Sequence, residues 1–138
     1  MCPREVLDIL LAEPQLDFAV LVGSRAMGTA HPASDWDIAL QWSPQLAWMD
    51  VLAKTEVLRS KLAQAMALDS TAIDLIDLHR ANLAMRASVA EEGMILRGQD
   101  TLEWAHFLNR TWRDLEDFYW PDVVGYSGQN KSKGLPCA

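Results

Sequence analysis

Hydrophobic positions along the chain follow two spacings, one typical of helices and one typical of strands. Apolar residues at helical spacing predict helices over three segments: 4–13, 44–67 and 82–91. Short apolar runs bounded by turn residues predict four strands: 16–22, 35–42, 72–78 and 94–97. Asp100 and Glu103 have the spacing of a capping box, which predicts a last helix that ends before Pro121. This mixture of helices and strands indicates an α/β (α+β) protein.

The second predicted strand and the helix after it have distinct faces. Alternate residues of a strand share a face, so four apolar side chains pack on one side: Trp36, Ile38, Leu40 and Trp42. The other side presents Asp35 and Asp37. Ser43 and Pro44 fit the N-cap and first position of the long helix. Its expected buried side is apolar: Leu46, Met49, Leu52, Leu58, Leu62 and Met66.

Composition limits the classes of function that the chain can have. Its 138 residues, half of them apolar, suffice for one domain with a hydrophobic core. Twelve basic and 19 acidic residues give a formal charge of −7, which argues against direct nucleic-acid binding. No apolar run approaches the roughly 20 residues that span a bilayer, and the N-terminus does not resemble a signal peptide. We therefore expect a cytoplasmic protein, in which Cys2 and Cys137 form no disulfide.

The candidate chemistry lies between residues 23 and 37. Gly23 and Ser24 follow a strand and open a helical turn, so backbone N–H groups and a hydroxyl can face an anion such as a triphosphate. Asp35 and Asp37 occupy alternate strand positions, which places both carboxylates on one face. Such a pair is tolerated when it is solvated or bridged by a cation, and oxygen ligands suit Mg²⁺. The Gly-Ser pair could instead belong to an ordinary tight turn. The pair of aspartates could instead lie on the solvated face of an edge strand.

A third carboxylate is available on the strand over 72–78, from Asp74 or Asp77. These two side chains point to opposite faces of the strand, so only one of them can join Asp35 and Asp37. The alternation alone leaves that choice open. Three carboxylates beside a phosphate-binding turn indicate metal-assisted phosphoryl or nucleotidyl transfer.

The combined pattern resembles the DNA polymerase β nucleotidyltransferase superfamily. Its signature has a Gly-Ser pair, ten intervening residues, an Asp-x-Asp pair and a later Asp on a strand. The strings Ser-Asp-Trp-Asp-Ile-Ala-Leu at 34–40 and Ile-Asp-Leu-Ile-Asp-Leu at 73–78 are similar to those of minimal nucleotidyltransferases. The similarity covers residues 5–98. It implies a polymerase β-like fold, a small mixed sheet flanked by helices, in a domain over 1–98.

The resemblance also implies roles for five residues. Gly23 and Ser24 would hold the β- and γ-phosphates of a nucleoside triphosphate, with ATP the expected substrate. Asp35 and Asp37 would ligate Mg²⁺. Asp74, at the position of the superfamily's third acid, would complete a site for two Mg²⁺ ions and act with the other two in catalysis. None of these residues distinguishes the base of the nucleotide.

A HEPN-domain toxin is the partner that the resemblance implies. Minimal nucleotidyltransferases are typically encoded beside these ribonuclease toxins, and act as their antitoxins by transferring AMP to a toxin tyrosine. The chain has no room for a domain that grips a large acceptor, and its acidic charge suits a basic protein. Protein adenylylation (AMPylation) of a HEPN toxin is therefore the leading hypothesis. Neutralisation of the toxin by binding alone and nucleotidyl transfer to a small molecule such as an aminoglycoside are the alternatives.

Residues beyond 98 are expected to form a helical extension over 99–124 and a disordered tail over 125–138. The extension carries aromatic residues that suit either a core or a partner interface: Trp104, Trp112, Phe118, Tyr119 and Trp120. Arg25 suits either a phosphate contact or a solvated loop position. His31 is expected to be an exposed loop residue, because Mg²⁺ prefers oxygen ligands.

Overall fold

The computed structural model of the protein describes residues 3–124, with side chains through residue 118. Its elements follow in this order: α1 (Arg4–Leu11), β1 (Leu16–Val22), α2 (Ser24–Met27), β2 (Trp36–Trp42), α3 (Trp48–Met66), β3 (Ile73–Asp77), α4 (Leu83–Glu92), β4 (Met94–Arg97) and α5 (Leu102–Val124). None of the described helices is long and apolar enough to cross a membrane. The expectations for the tail over 125–138, for Cys2 and for Cys137 lie outside the described residues.

The four strands form one mixed sheet in the order β3-β2-β1-β4. β1 pairs antiparallel with β2 and with β4, whereas β2 and β3 run parallel. The parallel pairing aligns Asp37 with Asp74 and Leu40 with Asp77. Helices cover both faces of this sheet, so the mixed sheet flanked by helices that the resemblance implies is confirmed.

Each face of the sheet has its own hydrophobic cluster. The first cluster joins α1 and α3 to one face, and its members include Leu10, Leu21, Ile38, Leu58 and Leu62. The second joins α4 and α5 to the other face, and its members include Phe18, Val20, Ala39, Val89 and Phe107. Because β2 is a central strand, both of its faces are covered over most of its length.

The acidic face of β2 is accessible at one end of the strand only. Beyond Asp37, this face continues through Ala39 and Gln41, and both of these side chains are buried. Only its N-terminal end stays accessible, where Asp35 is exposed and Asp37 partly buried. The alternative of a solvated edge strand is therefore wrong, because β2 is a central strand and this face is covered beyond Asp37.

The start of α3 also differs from its prediction. Ser43 Oγ accepts a hydrogen bond from the N–H of Gln45 at 3.3 Å, and Ser43 O accepts one from the N–H of Leu46 at 3.2 Å. These bonds form a separate turn, after which the helix begins at Trp48. Pro44 fits this turn as well as it fits a first helical position. Met49 and Leu52, expected to be buried, are exposed, and the fully buried residues of α3 lie in its second half: Leu58, Leu62 and Ala63.

The last helix, α5, begins behind a threonine cap. Thr101 Oγ1 accepts a hydrogen bond from the N–H of Trp104 at 3.2 Å, so Thr101 takes the role predicted for Asp100. The sequence predicts that this helix ends before Pro121, but the helix continues through Pro121 to Val124. A proline removes one backbone donor but leaves the preceding turns of a helix intact.

Aromatic side chains attach α5 to the sheet. The ring centroids of Trp104 and Phe107 lie 4.9 and 5.3 Å from that of Phe18 on β1, and both contacts are edge-to-face. Trp104 therefore belongs to the core, and Trp112 is partly buried. Phe118 is exposed. The side chains of Tyr119 and Trp120 lie outside the described residues.

We expect Phe107→Leu to lower the free energy of unfolding by roughly 1–1.5 kcal/mol, because it removes two ring contacts and leaves a small void. Urea denaturation followed by circular dichroism measures this change. Leu102→Ala is the control, since Leu102 is 70% exposed on the same helix and its truncation should change stability by less than about 0.5 kcal/mol. Equal losses in the two variants would contradict the assignment of Phe107 to the core.

Candidate active site

The turn after β1 brings the backbone close to the acidic residues of β2. Gly23 has φ +74° and ψ −157°, a conformation that glycine adopts far more readily than other residues. A Cβ atom on Gly23 would lie 2.5 Å from Asp37 Oδ2. The turn therefore lies directly against the carboxylate of Asp37, and any side chain at position 23 would displace it.

A single helical turn follows Gly23. The N–H groups of Ala26 and Met27 donate to Gly23 O at 3.1 and 3.2 Å, and Gly28 ends the turn in the left-handed conformation with φ +76°. The first N–H groups of a helix have no acceptor within it and can face an anion. This geometry agrees with the one predicted for Gly23 and Ser24, whose phosphate-binding role stays a prediction.

Three carboxylates lie near the N-terminal ends of the parallel strands β2 and β3. Asp37 and Asp74 are paired in register on the parallel strands β2 and β3, and Asp35 lies two residues before Asp37. The pKa of Asp37 is raised, first by burial and then by the negative charges of Asp74 and Asp35. The three groups are therefore close enough to repel one another.

Asp77 does not join this group. It lies opposite Leu40 on β2, and its Oδ1 accepts a hydrogen bond from the N–H of His79 at 3.0 Å. It lines a cavity of about 250 Å³ that Trp48 and Leu52 of α3 also line, on the face of the sheet away from Asp37. The register of β2 and β3 thus brings Asp74 to Asp37 and leaves Asp77 apart, a choice that strand alternation alone could not make.

The chemistry of the acidic group suits a hard cation. All of its donors are carboxylate oxygens, and a bound divalent cation would relieve the repulsion that raises the pKa of Asp37. Within residues 3–124, no three His, Cys, Asp or Glu side chains converge closely enough to hold a metal ion by themselves. A cation here would therefore need further oxygens, such as those of a substrate phosphate.

Arg25 is held by contacts within the loop that follows it. Its Nε and Nη2 donate to Ser34 O at 3.3 and 2.8 Å, and Nη2 also lies 3.4 Å from His31 O. Its guanidinium carbon lies 4.2 Å from the ring centroid of Trp36. Arg25 is therefore bound within the loop rather than solvated, and a contact between Arg25 and phosphate stays untested. His31 is exposed, as predicted.

Comparison with known proteins agrees with this fold and site. Residues 4–102 match the family described as "Polymerase beta, Nucleotidyltransferase". Two curated proteins named protein adenylyltransferase MntA are similar to the chain. The one from Aphanizomenon flos-aquae is 28% identical over 107 residues, which cover 75% of this chain and 71% of the relative. The one from Shewanella oneidensis is 38% identical over 85 residues, which cover 62% of this chain and 56% of the relative.

Two solved structures are similar over most of the chain. A chain of a toxin–antitoxin crystal structure with AMP-PNP superposes with a TM-score of 0.65 and 28% identity, covering 89% of this chain and 96% of that one. A mutant of a toxin–antitoxin complex that contains MntA gives a TM-score of 0.66 and 25% identity, covering 91% and 98%. The family match spans well over half of the residues and includes the Gly-Ser turn and all three carboxylates. The chain belongs to the polymerase β nucleotidyltransferase family.

Proposed function

We propose that this chain transfers AMP from ATP to a tyrosine of a HEPN ribonuclease toxin, with Mg²⁺ as cofactor, and so acts as the antitoxin of that toxin. The observation that carries the proposal is the group of three carboxylates, Asp35, Asp37 and Asp74, of which Asp37 lies directly against the Gly23 turn. The names of the similar proteins support the activity and the partner, since they are protein adenylyltransferases and a toxin–antitoxin complex with an ATP analogue.

The transfer forms a bond between the tyrosine oxygen and the α-phosphorus of ATP, and breaks the bond from that phosphorus to the oxygen bridging to the β-phosphate. Pyrophosphate leaves, and the tyrosine gives up its proton. When bound, Mg²⁺ neutralises charge on the phosphates and orients them.

Five residues of the chain have separate roles in this transfer. Gly23 and Ser24 hold the β- and γ-phosphates, and the missing side chain at position 23 lets the backbone come close. Asp35 and Asp37 hold the cation. Asp74 is exposed at the same edge of the sheet, where it orients the incoming hydroxyl and accepts its proton.

Asp74 and Asp77 form a matched pair for testing the third acid. We expect Asp74→Asn to lower kcat for AMP transfer by about 100-fold, because asparagine cannot accept the proton of the incoming hydroxyl. Asp77→Asn should stay within about threefold of the unaltered protein, because the asparagine oxygen can still accept the hydrogen bond from His79. Rates from intact-mass time courses give both values. A larger loss in Asp77→Asn would reverse the assignment.

The proposed function itself is tested with the product of the gene adjacent to the one for this chain, which we expect to be a HEPN protein. Incubation of the two proteins with ATP and Mg²⁺ should add AMP-sized increments to the HEPN protein, which tandem mass spectrometry should locate on tyrosine. A HEPN variant with phenylalanine at that position should gain no mass. No increment on an authentic partner would contradict the proposal. If Asp35→Asn and Asp37→Asn variants fully suppress toxicity at native expression, neutralisation occurs by binding alone.

A further inference from the structure

The loop before Asp35 has little packing to hold it. Residues 28–35 join α2 to β2, and most of their side chains are exposed. Two hydrogen bonds fold the loop on itself: the N–H of Ser34 donates to His31 O at 2.8 Å, and the N–H of His31 donates to Ser34 Oγ at 3.0 Å. The N–H of Thr29 ties the start of the loop to Ser24 O at 3.0 Å, and Asp35 directly precedes the paired strand β2. A connection from outside the loop adds to these two in fixing where Asp35 lies.

Arg25 supplies that connection from the residue next to Ser24. Its guanidinium holds the carbonyl oxygen of Ser34, the residue immediately before Asp35. It also stacks on the ring of Trp36, the residue immediately after Asp35, and that ring is buried. The backbone is thus held on both sides of Asp35 by one side chain.

A second arginine holds the other acidic strand in a similar way. Arg59, on α3, donates from Nη1 to the carbonyl oxygen of Ile73 at 2.6 Å. Ile73 immediately precedes Asp74. The exposed carboxylate of Glu56 pairs with the same guanidinium at 3.1 Å and helps to orient it. At the start of each parallel strand, an arginine therefore binds the backbone carbonyl of the residue just before an aspartate of the site.

Both guanidinium groups lie on the side of the sheet away from the carboxylates. Trp36, on which Arg25 stacks, belongs to the hydrophobic cluster shared with α1 and α3, and Arg59 extends from α3 itself. Asp37 and Asp74 share the opposite face, because Trp36 and Asp37 are adjacent residues of one strand. Arg59 is therefore separated from the carboxylates by the sheet. Arg25 is next to Ser24 in sequence, so the kinetic test below includes phosphate contact by Arg25 as an outcome.

We propose that Arg25 and Arg59 are positioning residues that fix Asp35 and Asp74 for the transfer reaction, without contacting the nucleotide. The inference rests on the proposed function. A carboxylate moved by about 1 Å lowers the rate strongly, whereas binding of the nucleotide depends mainly on contacts that these arginines do not make.

The first test separates positioning from phosphate contact by kinetics. Arg25→Met and Arg59→Met should each lower kcat by about 30- to 100-fold, with KM for ATP within about threefold of the unaltered protein. Arg25→Lys should be as impaired as Arg25→Met, because lysine keeps the charge but cannot supply the planar fork or the same stacking. Arg59→Lys should recover most of the rate, since one N–H donor suffices there. Arg4→Met, at an exposed position of α1, is the control and should be unchanged.

The second test does not depend on turnover. Binding of Mn²⁺ in the presence of AMP-PNP, followed by electron paramagnetic resonance, should weaken about tenfold in Arg25→Met and stay unchanged in Arg4→Met. Affinity for AMP-PNP without metal should be the same in both variants. A loss of that metal-free affinity, together with rescue by lysine, would make Arg25 a phosphate ligand and overturn the proposal, as would unchanged kcat and Mn²⁺ affinity. If the unaltered protein transfers no AMP at all, the proposed function fails while the Mn²⁺ measurement still decides the role of Arg25.

Discussion

Asp37→Asn is expected to lower kcat for AMP transfer by about 1,000-fold or more while making the free protein slightly more stable. The loss of activity follows because the substitution removes the charged oxygen nearest to the Gly23 turn, and with it the ability to hold a cation against the phosphates. Intact-mass kinetics measure the loss. Asp69→Asn is the control. Asp69 caps the turn before β3, and the side-chain oxygen of the asparagine can still accept the hydrogen bond from the N–H of Thr71.

The gain in stability follows from the pKa of Asp37. Burial, and then the charges of Asp74 and Asp35, raise this pKa above its ordinary value of 3.8 in the folded protein. The folded state therefore holds the proton more tightly than the unfolded state, and stability is lost as pH rises from below 3.8 through the raised pKa. Asparagine carries no charge and does not suffer this loss.

Melting temperatures across pH test that reasoning. Asp37→Asn should melt at a higher temperature than the unaltered protein near pH 7, and the difference should shrink as the pH falls toward 3.8. Added Mg²⁺ and nucleotide should raise the melting temperature of the unaltered protein more than that of the variant. A variant that is less stable at neutral pH would mean that the Asp37 carboxylate has a favourable partner, contrary to the geometry of the site.

Gly23→Ala is expected to lower kcat by about 100-fold, since the new Cβ atom would lie 2.5 Å from Asp37 Oδ2 and push that carboxylate away. The same substitution should cost about 1–3 kcal/mol of stability, because the backbone at position 23 has a conformation that alanine rarely adopts. Activity is therefore normalised to the folded fraction measured by circular dichroism.

Gly28→Ala is the matched control for this prediction. Gly28 ends the same helical turn with φ +76°, but a Cβ atom there would meet nothing within 4 Å. We expect a loss of about 1 kcal/mol in stability and a kcat within about threefold of the unaltered protein. If the two alanine variants lose activity equally, backbone strain in the turn is responsible, and the contact between Gly23 and Asp37 is not.

The sequence predicts best those elements whose limits are set by local chemistry. The strands at 16–22 and 94–97 have the predicted limits, because Gly23 ends the first run and Gly93 and Gly98 bound the second. The beginning of α3 was predicted wrongly, since Ser43 and Pro44 suit a turn as well as a helix start. Local signals that fit two structures equally well cannot decide between them.

The candidate site combines local and distant information. The Gly-Ser turn and the Asp-x-Asp strand were visible as a pattern because both lie within one short segment. The choice between Asp74 and Asp77 needed the register of two strands, which sequence alternation does not contain. Arg25 and Arg59 were missed as positioning residues because their acceptors are backbone carbonyls, which every residue has and no sequence pattern marks.

The parallel pairing of β2 with β3 also bears on the order of folding. β1 and β2 are neighbours in sequence and can pair as soon as both have formed, whereas β3 can reach β2 only after the whole of α3 has been made and has crossed the sheet. Contacts between distant segments form late, because closing a long loop has an entropic cost before any pairing compensates for it. Asp74 can therefore join Asp35 and Asp37 only once the chain through β3 has been made, after the segment that carries the phosphate-binding turn.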